Sequence, residues 1–275
     1  MRFKIILALL LICSHFTFSQ DKGGENLLKS KYKCSYLVRH INDTISMTKG
    51  TEDHFILSIG DGSSFGYGYL AYYSDSLLRA DHILWTERFA NIVRSGALST
   101  LHSWLFKTQL YKDYNKNIII VRDNISSNSY NYEDSLTSQV WIIEEDTMTI
   151  AGYVCQKAIC DWRGRSYEAW FTAEIPVSEG PWKFYGLPGL ILSLYDTKRH
   201  YEFELIEFKN TDQKINLESF TSRPFRLSGK KIERKEFLSV KYGKRGELIV
   251  SSEMAKIGLT YKPVSRNYNY IELDY

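Results

Sequence analysis

The segment Arg165-Ser166-Tyr167-Glu168-Ala169-Trp170-Phe171-Thr172-Ala173 decides the fold. Tyr167, Ala169, Phe171, Ala173 and Ile175 alternate with Ser166, Glu168, Thr172 and Glu174, the period-two pattern of a strand with one buried face and one wet face. A helix would scatter the same residues around its circumference. Trp170 breaks the wet side. A bare indole is costly, so a loop, a helix or a ligand is expected to cover it.

Outward from this strand, further strands are expected over 32–41, 54–59, 117–122, 139–144, 153–159, 190–195 and 201–208, all rich in β-branched and aromatic residues. In the last of these the apolar phase slips from Tyr201, Phe203 and Leu205 to Ile206 and Phe208, as a β-bulge would cause. Gly60, Gly62, Gly66 and Gly68 read as turn glycines. They are not a phosphate loop, because no Gly-Lys-Ser/Thr follows. Ser74 and Asp75 suit the start of a helix carrying Leu78, Trp85, Phe89 and Ile92, which Leu98, Leu101 and Leu105 extend or restart. The expected fold class is mainly β (α+β): a curved antiparallel sheet packed against one or two helices, with residues 20–275 forming a single domain.

Arg2 and Lys4 precede an apolar run from Ile5 to Cys13, and Thr17-Phe18-Ser19 supplies a small-residue cleavage site. This order predicts a secretory signal over residues 1–19 and a product in the periplasm or on the extracellular face of the envelope. The bulky Leu11 and Ile12 before Cys13 do not make a lipoprotein box. No later run is long enough for a spanning helix. Removing the two positive charges of Arg2 and Lys4 takes the formal net charge from +3 to +1, which gives no general attraction to nucleic acid. Cys34, Cys155 and Cys160 would remain, an odd number, and free buried thiols are favoured over a bridge from Cys34.

The stretch Gly180-Pro181-Trp182-Lys183-Phe184-Tyr185-Gly186-Leu187-Pro188-Gly189-Leu190-Ile191 is physically the most unusual. Pro188 fixes φ and Gly189 tolerates positive φ, so a type II turn packed on the core is predicted there. The hexamer Gly186, Leu187, Pro188, Gly189, Leu190, Ile191 also resembles the hallmark of the GLPGLI family of exported Bacteroidetes proteins. The resemblance extends to Trp141, the Ile150–Ala158 run, Gly164–Phe171 and Glu174-Ile175-Pro176, and is best over 137–208. It implies export and association with envelope systems, often outer-membrane TonB-dependent receptors. It assigns no catalytic residue.

Chemical motifs are few. There is no Gly-x-Ser-x-Gly elbow and no His-Glu-x-x-His, and neither His82 nor His102 has a partner at metal-ligand spacing. Glu144-Glu145-Asp146 reads as a solvated strand end, since spaced oxygen ligands do not follow it. No metal and no cofactor is expected. Arg165, Trp170 and Trp182 are the candidate ligand-binding residues, the competing reading being a second small core beneath a loop. Arg165, Glu174 and Asp196 read as a salt-bridged cluster around the Leu-Pro-Gly turn. Residues 223–245 carry Arg223, Arg226, Lys230, Lys231, Arg234, Lys235, Lys241, Lys244 and Arg245 against Glu233 and Glu236, a solvated helix or a contact for an anionic surface. The sequence thus points first to an envelope binding or accessory protein that takes an apolar ligand or docks on an outer-membrane receptor. A hydrolase and a structural interaction module are the alternatives.

Overall fold

The computed structural model describes residues 27–45, 47–49, 52–95, 108–125, 128–137, 139–217, 230–243 and 269–274. The expected signal 1–19, and Leu98, Leu101, His102, Leu105, Arg223, Arg226, Lys244 and Arg245, lie outside the described residues.

Period-two sequence gives strands, and two-residue turns join several of them. Ile150 to Tyr153 and Trp162 to Arg165 are each linked by a residue and a glycine that both have positive φ, Ala151-Gly152 and Arg163-Gly164. That backbone matches the right-handed twist of hairpin strands. Among the described residues 14 strands form one sheet. They are β1 (Leu27–Asp43), β2 (Thr48–Lys49), β3 (Asp53–Gly60), β4 (Ser63–Gly68), β5 (Gln109–Asp113), β6 (Ile118–Ile125) and β7 (Asn128–Ser135). Then come β8 (Ile142–Ile150), β9 (Tyr153–Trp162), β10 (Arg165–Thr172), β11 (Leu190–Asp196), β12 (Tyr201–Asn210), β13 (Lys214–Asn216) and β14 (Lys230–Lys231). Their order is β14-β7-β6-β5-β4-β3-β1-β12-β11-β10-β9-β8, with β2 and β13 beside β1. The sheet is open. It is antiparallel throughout except where β14 joins β7 in parallel.

Phe55 of β3, Val121 of β6 and Tyr132 of β7 belong to the same buried cluster as Ala158 of β9, Tyr167 of β10, Leu194 of β11 and Phe203 of β12. Strands far apart in the sheet share one core, so the sheet curls around it. The slip in β12 is a bulge: Ser35 faces Glu207 and Tyr36 faces Leu205, leaving Ile206 as the extra residue. The alternation of β10 ends one step early, because Thr172 is fully buried and Ala173 is exposed.

Two expectations are corrected. The helical region is α1 (Tyr69–Ala80) followed by α2 (His82–Arg94), and it does not fill the curl of the sheet. Tyr72 of α1 lies 5.1 Å from Tyr67 of β4, in a small cluster apart from the main core. Neither Ser74 nor Asp75 starts the helix. Asp53 of β3 accepts the Leu70 amide at 3.1 Å instead, a cap supplied from a strand that no local pattern announces. Asp81 caps α2 through the Leu84 amide at 2.9 Å. The glycine reading is the second correction. Gly66 lies within β4, where a Cβ would meet the Phe55 ring at 2.4 Å, so it is glycine for close packing and not for a turn.

Candidate functional site

What fills the curl is the connection between β10 and β11, residues 173–189. The chain leaves the sheet at Thr172 and returns at Leu190, and these two residues face each other across the ladder. The intervening plug turns twice at proline. The Val177 amide donates to the Ile175 carbonyl and the Gly189 amide to the Leu187 carbonyl, two residues back in each case, across Pro176 and Pro188. These are γ-turns, which the fixed φ of proline suits. The expected type II turn is therefore absent, and Gly189 does not have positive φ. Gly189 is required for space: a Cβ would sit 2.0 Å from the Thr172 carbonyl oxygen. Positive φ falls instead at Gly186 and at Trp182, where Phe184 donates back to the Pro181 carbonyl at 3.1 Å.

Phe184 is the centre of the plug. It is fully buried, with its ring 4.6 Å from that of Tyr167 and 4.8 Å from that of Trp162, both edge-on. Polar groups tie the plug to the segment between β7 and β8. Trp141 Nε1 donates to the Tyr185 carbonyl at 2.9 Å, Gln139 accepts from the Tyr185 amide, and the Tyr185 hydroxyl donates to the Leu136 carbonyl. The two ends of the open sheet are thus bridged by their own connecting segment, through the plug.

Two buried lysines anchor it, Lys112 from the sheet and Lys183 from within the plug itself. Lys112 of β5 lies 2.8 Å from Glu179 and also donates to the Phe184 carbonyl, while the Tyr114 hydroxyl bonds the other Glu179 oxygen. Lys183 reaches Glu272 at 2.7 Å and Asp134 of β7 at 3.1 Å. Arg234, the first residue of α3 (Arg234–Gly243), joins this group through Glu272 and Asp274, and Arg163 joins it through Asp134 and Asp274. Burial alone would raise the Glu272 carboxyl, but Lys183 and Arg234 outweigh it and hold it at about 2.

Segment 269–274 runs along one end of the curl. Tyr167 and Tyr201 donate to the carbonyls of Ile271 and Asn269, Asn269 reaches the Ile41 carbonyl, and the Leu273 amide donates to Arg163.

The three candidate binding residues are not brought together. Arg165 is buried at the start of β10, paired with Asp196 at 3.2 Å and bonded to Asn269 and the Tyr270 carbonyl. Trp170 stands on the opposite face of that strand, half-buried, its Nε1 donating to Glu168 at 3.1 Å. Trp182 is buried beside Phe55, ring centroids 6.5 Å apart. Gly186 and Pro188 are the exposed members of the hexamer, whereas Leu187, Gly189, Leu190 and Ile191 are buried. Glu174 leaves the expected salt-bridged cluster and accepts the Val154 amide. Cys34, Cys155 and Cys160 are free and buried, and burial pushes Cys160 up to about 12. Within the basic stretch Arg234 is bound as described, Lys241 pairs with Asp123 and Lys231 with Glu133.

Sequence reasoning missed a different surface. β8 ends the sheet, and Val140, Ile142, Ile143, Met148 and Val154, on β8 or next to it, are all exposed. The ladder to β9 is interrupted between Ile143 and Thr147, so Glu144, Glu145 and Asp146 together stand opposite Lys157. Lys157 pairs with Glu144 at 2.9 Å, and Glu145 and Asp146 are exposed. The available signal was apolar residues on both sides of an acidic triplet, which a plain strand end does not explain.

These observations define a mostly β protein with an open, curled sheet and an internal plug. Residues 162–193, which span β10, the plug and the start of β11, match a family described as "Protein of unknown function (Porph_ging)". Over that stretch the chain is similar to a Bacteroidetes-associated family of unknown function. No curated protein matches the sequence significantly. Among solved structures, PNGF-II in its P21 crystal form is similar with a TM-score of 0.51 and 13% identity, covering 78% of this chain and 34% of that one. PNGF-II in its C2 form gives 0.52 and 14%, covering 78% and 33%. The match thus spans about a third of PNGF-II, and at this identity it shows a shared fold alone. No helix among the described residues is long and apolar enough to cross a membrane.

Proposed function

We propose that the chain is an exported binding or accessory module of the bacterial cell envelope, of the GLPGLI type, and that it meets its partner through the apolar edge at β8. The observation that carries this reading is a division of labour between inside and outside. The apolar residues of the hallmark stretch, Leu187, Leu190 and Ile191, are buried where the plug re-enters the sheet, and exposed large apolar side chains gather on the end strand of the sheet. Clustered exposed apolar residues mark contact surfaces, whereas single ones are ordinary. Export rests on the order of Arg2, Lys4, the apolar run and Ser19, and the resemblance favours an outer-membrane receptor as partner.

Binding is favoured over hydrolysis because Asp134, Glu179, Asp196 and Glu272 are each matched by a lysine or arginine, and Asp53, buried with no ion pair among the described residues, caps α1 through the Leu70 amide. Carboxylates neutralised in this way anchor the fold, while a general acid or base must be left able to exchange a proton with a substrate. A photoreactive phenylalanine analogue placed at Ile142 or Met148 tests the reading in cells that make the protein. Discrete adducts are expected from these positions and not from Ile206 on β12. Their absence at both positions, with the protein exported and folded, would overturn it.

A further inference from the structure

The geometry of β8 points to its occupant: we propose that this edge takes an extended strand from a partner protein, with lysine or arginine at its centre and apolar residues on either side. The inference rests on the reading of β8 as the contact surface and adds the chemistry of what binds there.

No described strand pairs with the far side of β8, so its backbone amides and carbonyls there can accept a further strand. Ile142 and Ile143 lie before the interruption and Met148 after it, with Val154 across the hairpin, all exposed. Between them Glu145 and Asp146 present two carboxylates for which no cation is seen among the described residues, Lys157 being engaged by Glu144 and Glu168. A bulge with charges is a familiar way to keep an edge from pairing indiscriminately. Protection alone would not leave four large apolar side chains bare beside the charges.

The same charges select among occupants. A second copy pairing antiparallel about Glu145 would set acidic triplet against acidic triplet, and like charges directly opposite are unfavourable. A purely apolar strand would bury the two carboxylates without partners. A cationic centre satisfies them, and its apolar flanks cover Ile142, Ile143 and Met148. Attraction and exclusion therefore act together to set specificity.

The test uses the full chain and a fluorescent nonapeptide of alternating valine and threonine around a Lys-Lys centre, followed by anisotropy. Three comparisons accompany it: the same peptide with alternate backbone nitrogens methylated, a Glu-Glu-centred peptide, and the double variant Glu145→Lys/Asp146→Lys, whose exposed positions should leave the melting temperature unchanged. The lysine peptide is expected to bind, with affinity falling about tenfold or more on methylation or on exchange of its centre. The double variant should prefer the glutamate peptide.

Equal binding of the methylated peptide would overturn strand addition, and a preference untouched by charge reversal would overturn the cationic centre. Neither result would disturb the adducts at Ile142 and Met148. No peptide binding together with self-association abolished by Ile142→Lys would make a second copy the occupant. No binding of any peptide to a monomeric chain overturns the proposal outright. If adducts at Ile142 and Met148 then also fail, the contact-surface reading falls with it.

Discussion

At position 189 one methyl group tests how the plug re-enters the sheet. Gly189→Ala should cost about 3 kcal/mol or more, because the new Cβ meets backbone that cannot swing aside. Gly186→Ala should cost about 1–2 kcal/mol, since its φ of 97° strains an alanine but the site is exposed. Urea denaturation of the pair distinguishes space from backbone conformation, and equal costs would contradict the assignment. Single carboxyl groups give the pH dependence. Glu272 is held at about 2 against an ordinary 4.5, so its contribution is complete above about pH 4.5 and is lost as pH falls toward 2. Glu272→Gln should flatten that acid limb. Asp53 has the opposite sign. Burial raises it from 3.8 to about 6, so its contribution is greatest below about pH 4 and is lost as pH rises through 6. Asp53→Asn should remove that decline in melting temperature.

At the scale of elements, Phe184 joins the plug to β9 and β10, and Phe184→Ala is expected to destabilise by about 3–5 kcal/mol through the cavity it leaves. A loss below about 1 kcal/mol would show that the plug packs loosely. What the sequence made legible follows the same physics. The alternation at Tyr167, Ala169 and Phe171 revealed β10, and the phase slip revealed the bulge at Ile206. β4 was hidden because Gly66 serves close packing inside a strand, and glycine there looks like a turn. β7 was hidden because its residues, Asn128 to Ser135, are mostly polar. The acidic triplet at 144–146 looked like the end of a strand, although it interrupts one that continues to Ile150. The plug could be recognised as an apolar turn region, but its two anchors could not. Lys112 and Glu179 are 67 residues apart and meet only through the curl of the whole sheet.

At the scale of the molecule, the apolar residues of the stretch that makes the sequence recognisable are buried, and the surface proposed for contact is a strand that carries no hallmark. The sheet curls around the plug, buried ion pairs fix the plug to the walls, and segment 269–274 crosses one end. A ligand pocket formed by Arg165, Trp170 and Trp182 would require these residues to converge, and they occupy separate places. Amide hydrogen exchange with and without the lysine-centred peptide compares inside and outside in one experiment. Amides of 183–191 should exchange slowly in the free protein and not change, while those of 144–149 should exchange quickly and become protected when the peptide binds. Fast exchange across 183–191 that slows on binding, with 144–149 unaffected, would contradict this division.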